Sequence, residues 1–200
     1  MKHGLLIYGH ISKEADWNIL KERIDFWKSK KLEDGSSFFV TVSMSFEKNL
    51  LDNSFISQID SEIDGTFNIS LESIYKKNNI QTVQQCIIKG LKNCKEAGMM
   101  KTFVINYKFS VRDIDTVFRH NKLACVTLYG NSSHILKTLN PSFMFGKTKT
   151  LQRVWENIPI LQSLKLEENT FRAFANVVGN SLSLMKVISP EDIGLRKFIN

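Results

Sequence analysis

Gly4-Leu5-Leu6-Ile7-Tyr8-Gly9-His10-Ile11 is short, rich in β-formers and apolar almost without a break. That is the pattern of a strand buried on both faces, which in turn is the mark of a central parallel strand. Gly9 marks the sharp exit from the strand, and Ser12 stands where a helix cap is needed. From Lys13 to Leu32 the residues Trp17, Leu20, Ile24 and Trp27 recur at spacings of three and four with Lys, Glu and Arg between them, so this segment reads as an amphipathic helix lying on a sheet. Asp34-Gly35-Ser36 makes a turn, and Ser37 to Phe46 (SFFVTVSMSF) is a second strand. The opening is therefore β-α-β.

Outward from this unit the alternation continues. Residues 47 to 65 show no period, and Thr66 to Leu71 reads as a short strand. Asn79 to Ala97 is a helix striped by Ile80, Val83, Ile87, Leu91 and Cys94, capped by Asn78 or Asn79 and ended by Gly98. Met99 to Tyr107 is a buried strand, followed by a helix from Asp113 to His120, a strand from Leu123 to Tyr129 and an apolar segment from Ser142 to Phe145. Helices around Leu151 to Trp155 and Asn169 to Val178 precede a last strand from Leu184 to Ile188. The order predicts an α/β fold, a mainly parallel central sheet with helices on both faces in a Rossmann-like three-layer arrangement. Residues 1 to 200 read as a single domain.

Composition narrows the function classes. With 200 residues, 42% hydrophobic and 24% charged, the chain has enough apolar material for one core and too much for disorder. Twenty-seven basic against 20 acidic residues give a net charge of +7, which favours phosphates, nucleic acid or an anionic membrane surface as partners. Three cysteines without a CxxC pair spell neither a disulfide framework nor a zinc knuckle, and they read as reduced thiols of a cytoplasmic protein. The apolar run at the start is too short for a signal-peptide core, and no window approaches the ~18 apolar residues of a membrane span. Any membrane contact is expected to be peripheral.

Ligands of open α/β sheets collect at the carboxyl ends of the strands, so the residues after each strand are the candidates. After the first strand come Tyr8, Gly9 and His10, where a glycine permits backbone approach and a ring permits stacking on a base. A plain tight turn is the simpler explanation of them. After Phe103 to Ile105 come Asn106-Tyr107-Lys108-Phe109-Ser110-Val111-Arg112-Asp113-Ile114-Asp115, with two cations and an Asp-x-Asp pair. Such a pair can hold Mg²⁺ or Mn²⁺ against a diphosphate because hard cations take oxygen ligands. Asp113 is alternatively a helix cap, with Asp115 facing water in the first turn. Asn140 to Gly146 is an aromatic segment ending in glycine, and Asp60, Glu62 and Asp64 would share one face of an extended segment as a solvated edge. There is no GxGxxG, GxxxxGK[ST] or GxSxG, and the four histidines have no metal spacing. Lys28-Ser29-Lys30-Lys31 is the solvated end of the first helix, so nucleic acid is set aside as a partner.

The strings NIQTVQQCIIKGL (79–91), TFVINYKFS (102–110) and LNPSFMFGKTKTLQRVW (139–155), in this order, resemble the WavE-type lipopolysaccharide-synthesis proteins and related small glycosyltransferases of the GT-A fold. The opening Ile7-Tyr8-Gly9-His10 and the closing Ser189 to Arg196 resemble that family's first and last strand regions, so most of residues 1 to 160 and the carboxyl end are covered. Where the family has a strand ending in Lys-x-Arg-x-Asp, this chain reads Asn106, Lys108 and Ser110. The resemblance implies a GT-A-like fold and transfer of a sugar from a nucleotide-sugar donor to a glycan or lipid-linked acceptor. It implies a donor site at Tyr8, Gly9, His10, Lys108, Arg112, Phe145 and Gly146, and catalytic and metal-binding roles with Mn²⁺ or Mg²⁺ for Asp113 and Asp115. The serine in place of the family's carboxylate leaves a second expectation, a degenerate relative that binds a nucleotide, glycan or protein without turnover.

Overall fold

The computed structural model describes residues 3–71, 80–118, 124–128, 139–156, 185–188 and 191–197. Its elements follow the order β1 (His3–Ile11), α1 (Ala15–Ser29), β2 (Phe39–Phe46), a 3₁₀ turn (Lys48–Leu50), α2 (Asn53–Glu62), β3 (Phe67–Leu71), α3 (Ile80–Glu96), β4 (Lys101–Asn106) and β5 (Phe109–Ser110). The second half holds α4 (Asp115–Phe118), β6 (Ala124–Leu128), β7 (Leu139–Lys147), α5 (Thr148–Glu156), β8 (Met185–Ile188) and β9 (Arg196–Lys197). Seven strands form one sheet in the order β3-β2-β1-β4-β7-β6-β8, and β5 pairs with β9 in a separate two-stranded ribbon.

The continuous apolarity of β1 has its cause in this order. It pairs in parallel with β2 on one side (Leu5↔Val40) and with β4 on the other (Leu5↔Phe103), so both of its edges are covered. Alternate side chains then feed two cores. Leu5, Ile7 and Ile11 join Trp17, Leu20, Ile24 and Trp27 of α1 in the larger one, with Val40, Val42, Phe103, Phe143 and Phe145. Its rings run in sequence: Trp27 meets Phe38 edge-on at 5.6 Å, Phe38 meets Phe103 at 5.2 Å, and Phe103 stacks on Phe145 at 4.2 Å. On the other face α3 comes so close that a Cβ at Gly90 would lie 2.1 Å from Leu6 Cδ1. Cys86, Ile87, Leu91 and Cys94 of α3, with Leu151, Val154 and Trp155 of α5, are buried. Gln84 Nε2 donates to the Trp155 carbonyl at 2.6 Å and ties the two helices. The sheet is thus mainly parallel with helices on both faces, as the sequence predicts.

Several boundaries and elements differ from expectation. Ser12 does not cap α1; the helix starts at Ala15, Glu14 occupies the cap position without a side-chain bond, and Ser12 instead donates to Asp16. The aperiodic stretch 47–65 contains α2, whose start is fixed by Asp52 accepting from Ser54 and Phe55 N–H groups and whose only fully buried side chain is Ile59. Asp60 and Asp64 are therefore not on an extended edge: their carboxylates accept from Phe67 N–H at 2.7 Å and Val40 N–H at 3.1 Å. The segment 142–145 is part of a nine-residue strand, β7, which is antiparallel to both β4 and β6. Its ladder to β6 shifts between Val126 and Thr127, opposite Pro141, which has no N–H to give. Gly98 ends α3 as predicted, at φ 76° with Met99 N–H on the Cys94 carbonyl. The expected helix at 169–178 and the caps Asn78 and Asn79 lie outside the described residues.

Gly90 tests the close approach of α3. Alanine at an ordinary helical site gains about 1 kcal/mol over glycine. Here Gly90→Ala should instead lose about 1–3 kcal/mol in urea unfolding, because its methyl enters the space of the fully buried Leu6.

Candidate functional site

The strand order reverses at β1. Chain order runs outward from β1 through β2 to β3, then returns to place β4 on the opposite side, and in sheets of this kind ligands bind beyond the carboxyl ends of the strands where the two directions part. The residues leaving the carboxyl ends of β1 and β4 line that point. Tyr8 pairs with Asn106, and the Tyr107 N–H bonds the Tyr8 carbonyl at 3.0 Å. The Tyr107 ring then folds over Gly9, where a Cβ would lie 2.4 Å from its Cδ1, and the Tyr107 hydroxyl donates to the His10 carbonyl at 2.9 Å. Gly9 is needed for that ring. The strand exit is closed by the chain's own aromatic side chain.

Asp16, which no sequence pattern singles out, organises the next layer. Its side chain is fully buried and its Oδ2 accepts from the Ser12 N–H (2.9 Å), the Ser12 hydroxyl (3.0 Å) and the Lys13 N–H (3.3 Å). Lys108 Nζ stands 3.6 Å from the same oxygen and 5.3 Å from the Tyr107 ring centroid. Oδ1 is buried and has no hydrogen bond among the described residues, since the neighbouring Tyr107 hydroxyl directs its proton to His10. Burial works to raise the Asp16 pKa, but the Ser12 N–H, Lys108 and the Ser12 hydroxyl outweigh it and hold the carboxyl below its ordinary value. Tyr107 is pushed the other way by burial and by the Asp16 charge, so its phenol stays protonated. His10 is half-buried, with Nδ1 2.9 Å from Ser45 Oγ. The outcome is a half-exposed lysine held over a loop that a buried carboxylate clips in place.

The remaining sequence candidates separate into two places. Arg112 is exposed and Asp113 half-buried on the connection that follows β5, where both backbone N–H groups bond the Ile193 carbonyl at 3.0 and 3.1 Å. The helix expected from Asp113 starts two residues later, with half-buried Asp115 as its first residue. Tyr8 is 2% exposed. Phe145 and Gly146 do not reach this edge: they pair with Phe103 and Thr102 near the start of β4, and Phe145 is buried against Phe103. Among the described residues no three His, Cys, Asp or Glu side chains converge as a metal site, and no helix is long and apolar enough to cross a membrane.

No family model matches the chain, and no curated protein matches it. Among solved structures it is similar to a putative glucose-1-phosphate thymidylyltransferase from Bacillus anthracis, solved in complex with a sucrose. The likeness has a TM-score of 0.50 at 9% identity and covers 94% of this chain and 86% of that one. It shows the fold. The mostly parallel sheet flanked by helices is similar to the α/β fold of that structure, and the predicted fold class stands.

The depressed Asp16 pKa has a sign that can be measured. A carboxylate held below its unfolded value of about 3.9 contributes stability above that pH, and the contribution disappears as pH falls through the lower folded value. Asp16→Asn should cost about 1–3 kcal/mol at pH 7, chiefly from the hydrogen bonds to the charged oxygen, because half-exposed Lys108 adds little. The gap between variant and parent in denaturant melts should narrow below about pH 4.

Proposed function

We propose that this chain binds a nucleotide sugar at the carboxyl edge of β1 and β4 and transfers the sugar to a glycan or lipid-linked acceptor. The observation that carries the reading is the placement of Lys108 at the switch point, half-exposed and anchored by buried Asp16. A cation fixed before the ligand arrives can meet a leaving diphosphate without reorganising, which is the electrostatic help that glycosyl transfer requires. In this reading Lys108 and Arg112 face the diphosphate, while the nucleoside lies beside half-buried His10, outside the Tyr107 ring that covers Gly9. The nucleotidyltransferase fold and the net charge of +7 support it.

A divalent cation in such a site would neutralise the diphosphate, and Asp113 and Asp115 are the residues that would hold it. The two flank buried Ile114, and the Asp113 backbone is docked on Ile193. That placement, with Ser110 where a carboxylate is expected, favours a second reading in which the site binds its nucleotide without turnover.

Thermal melting against UDP- and GDP-sugars tests both readings. A ligand at about 100 times its Kd stabilises the native state by ~2.7 kcal/mol, which for a chain of this size is a rise in Tm of about 5–10 °C. Lys108→Ala should remove that rise. Product formation with Mn²⁺ that is lost in Asp115→Asn supports the transferase, whereas binding indifferent to Mn²⁺ and to Asp115→Asn, without product, supports the second reading. No stabilisation by any nucleotide sugar overturns both.

A further inference from the structure

The opposite end of the sheet carries a cavity that nothing above uses. It measures about 500 Å³, within the range of small-molecule sites, and lies where α3 ends, β4 begins, β7 ends and α5 starts. Four lysines line it: Lys95, Lys101, Lys147 and Lys149. No acidic residue does. Glu96, the acid next in sequence to Lys95, lies 3.8 Å from Lys92, and among the described residues none of the four lysines has a salt-bridge partner. Lys101 Nζ sits 5.7 Å from the Phe145 ring, and its charge, after burial, helps lower the pKa of His3. Met100 belongs to the same lining and is 65% exposed, so the cavity joins cations to an apolar surface.

The charge arrangement is unfavourable as it stands. Lys147 and Lys149 flank the amino terminus of α5, whose first turn has no acid and whose macrodipole already presents positive charge there. The Thr148 N–H is taken by the Met100 carbonyl, but the next N–H groups of that turn have no partner within the helix. Thr148 Oγ1 bonds Thr102 and the Met99 carbonyl, which fixes the helix start against α3 and β4. An uncompensated cluster of cations of this kind, beside an apolar wall, is matched by an anion that carries an apolar group.

We propose that this cavity is a second binding site, specific for an organic phosphate, separate from the carboxyl edge of β1 and β4. Free organic phosphates and the headgroup of an anionic lipid share that chemistry. The test uses phenyl phosphate titrated by calorimetry, and co-sedimentation with phosphatidylcholine vesicles with and without phosphatidylglycerol. Each is run on the parent chain and on Lys147→Glu/Lys149→Glu, two exposed positions whose reversal leaves the core intact. Saturable phenyl phosphate binding that weakens at least about tenfold in the double variant supports the proposal with a free phosphate as ligand. Sedimentation only with phosphatidylglycerol, lost in the double variant and reduced by Met100→Ser, supports it with a lipid headgroup. Should the double variant fold poorly, Lys95→Glu on the exposed end of α3 gives the same readout. Binding by neither probe, or binding indifferent to these reversals, overturns it. Lys108→Ala leaves this binding unchanged, so the nucleotide-sugar reading and this one fail separately.

Discussion

Strand β1 has a hydrogen-bonded neighbour on each edge and a helix layer on each face, and the rest of the molecule is arranged around meeting those four demands. A backbone buried on all sides must satisfy every N–H and C=O within the sheet, which the parallel ladders to β2 and β4 accomplish. Its side chains must be apolar or small on both faces, hence Leu5 and Ile7 toward α1 and Leu6 toward α3. The same constraint sets the site. A strand enclosed this way exits only at its carboxyl end, and there the chain must turn away beside the end of β4.

What holds that turn is electrostatic. Asp16 sits in the first turn of α1, where the helix end favours a negative charge, and it replaces a cap by reaching back to Ser12 and Lys13. Lys108 completes the charge balance from the turn after β4. The start of α1 is thus tied by an ion pair to the turn that follows β4, and Tyr107 adds a second connection, from that turn to the end of β1, through the His10 carbonyl.

The parts of this structure legible in the sequence are those whose burial leaves a period. β1, α1, α3 and β4 carry unbroken or striped apolar residues, and their positions agree within a few residues. α2 has one fully buried side chain and is held by the Asp52 cap, so its stripe is too thin to see. β7 was visible only as a short apolar piece, because Pro141 and polar Asn140 interrupt it and because antiparallel order is a property of the sheet rather than of the segment. In the candidate site, Lys108 and His10 were legible as residues that follow strands. Asp16 was not: Ser12 is the better local cap, and the reversed arrangement, in which Asp16 accepts from Ser12 and Lys13 and meets Lys108 from 92 positions later, leaves no local pattern.

The reversed direction of β7 shapes the chemistry of the sheet's two ends. Because β7 runs against β4, its last residue, Lys147, lies opposite the first residue of β4, Lys101. Running with β4, the strand would have put Leu139 there and carried Lys147 to the other rim. One change of polarity therefore brings together cations that are 46 positions apart and segregates them from Lys108. Among the described residues the sheet thus carries unpaired lysines at one end and an ion-paired lysine at the other, with the apolar core between them.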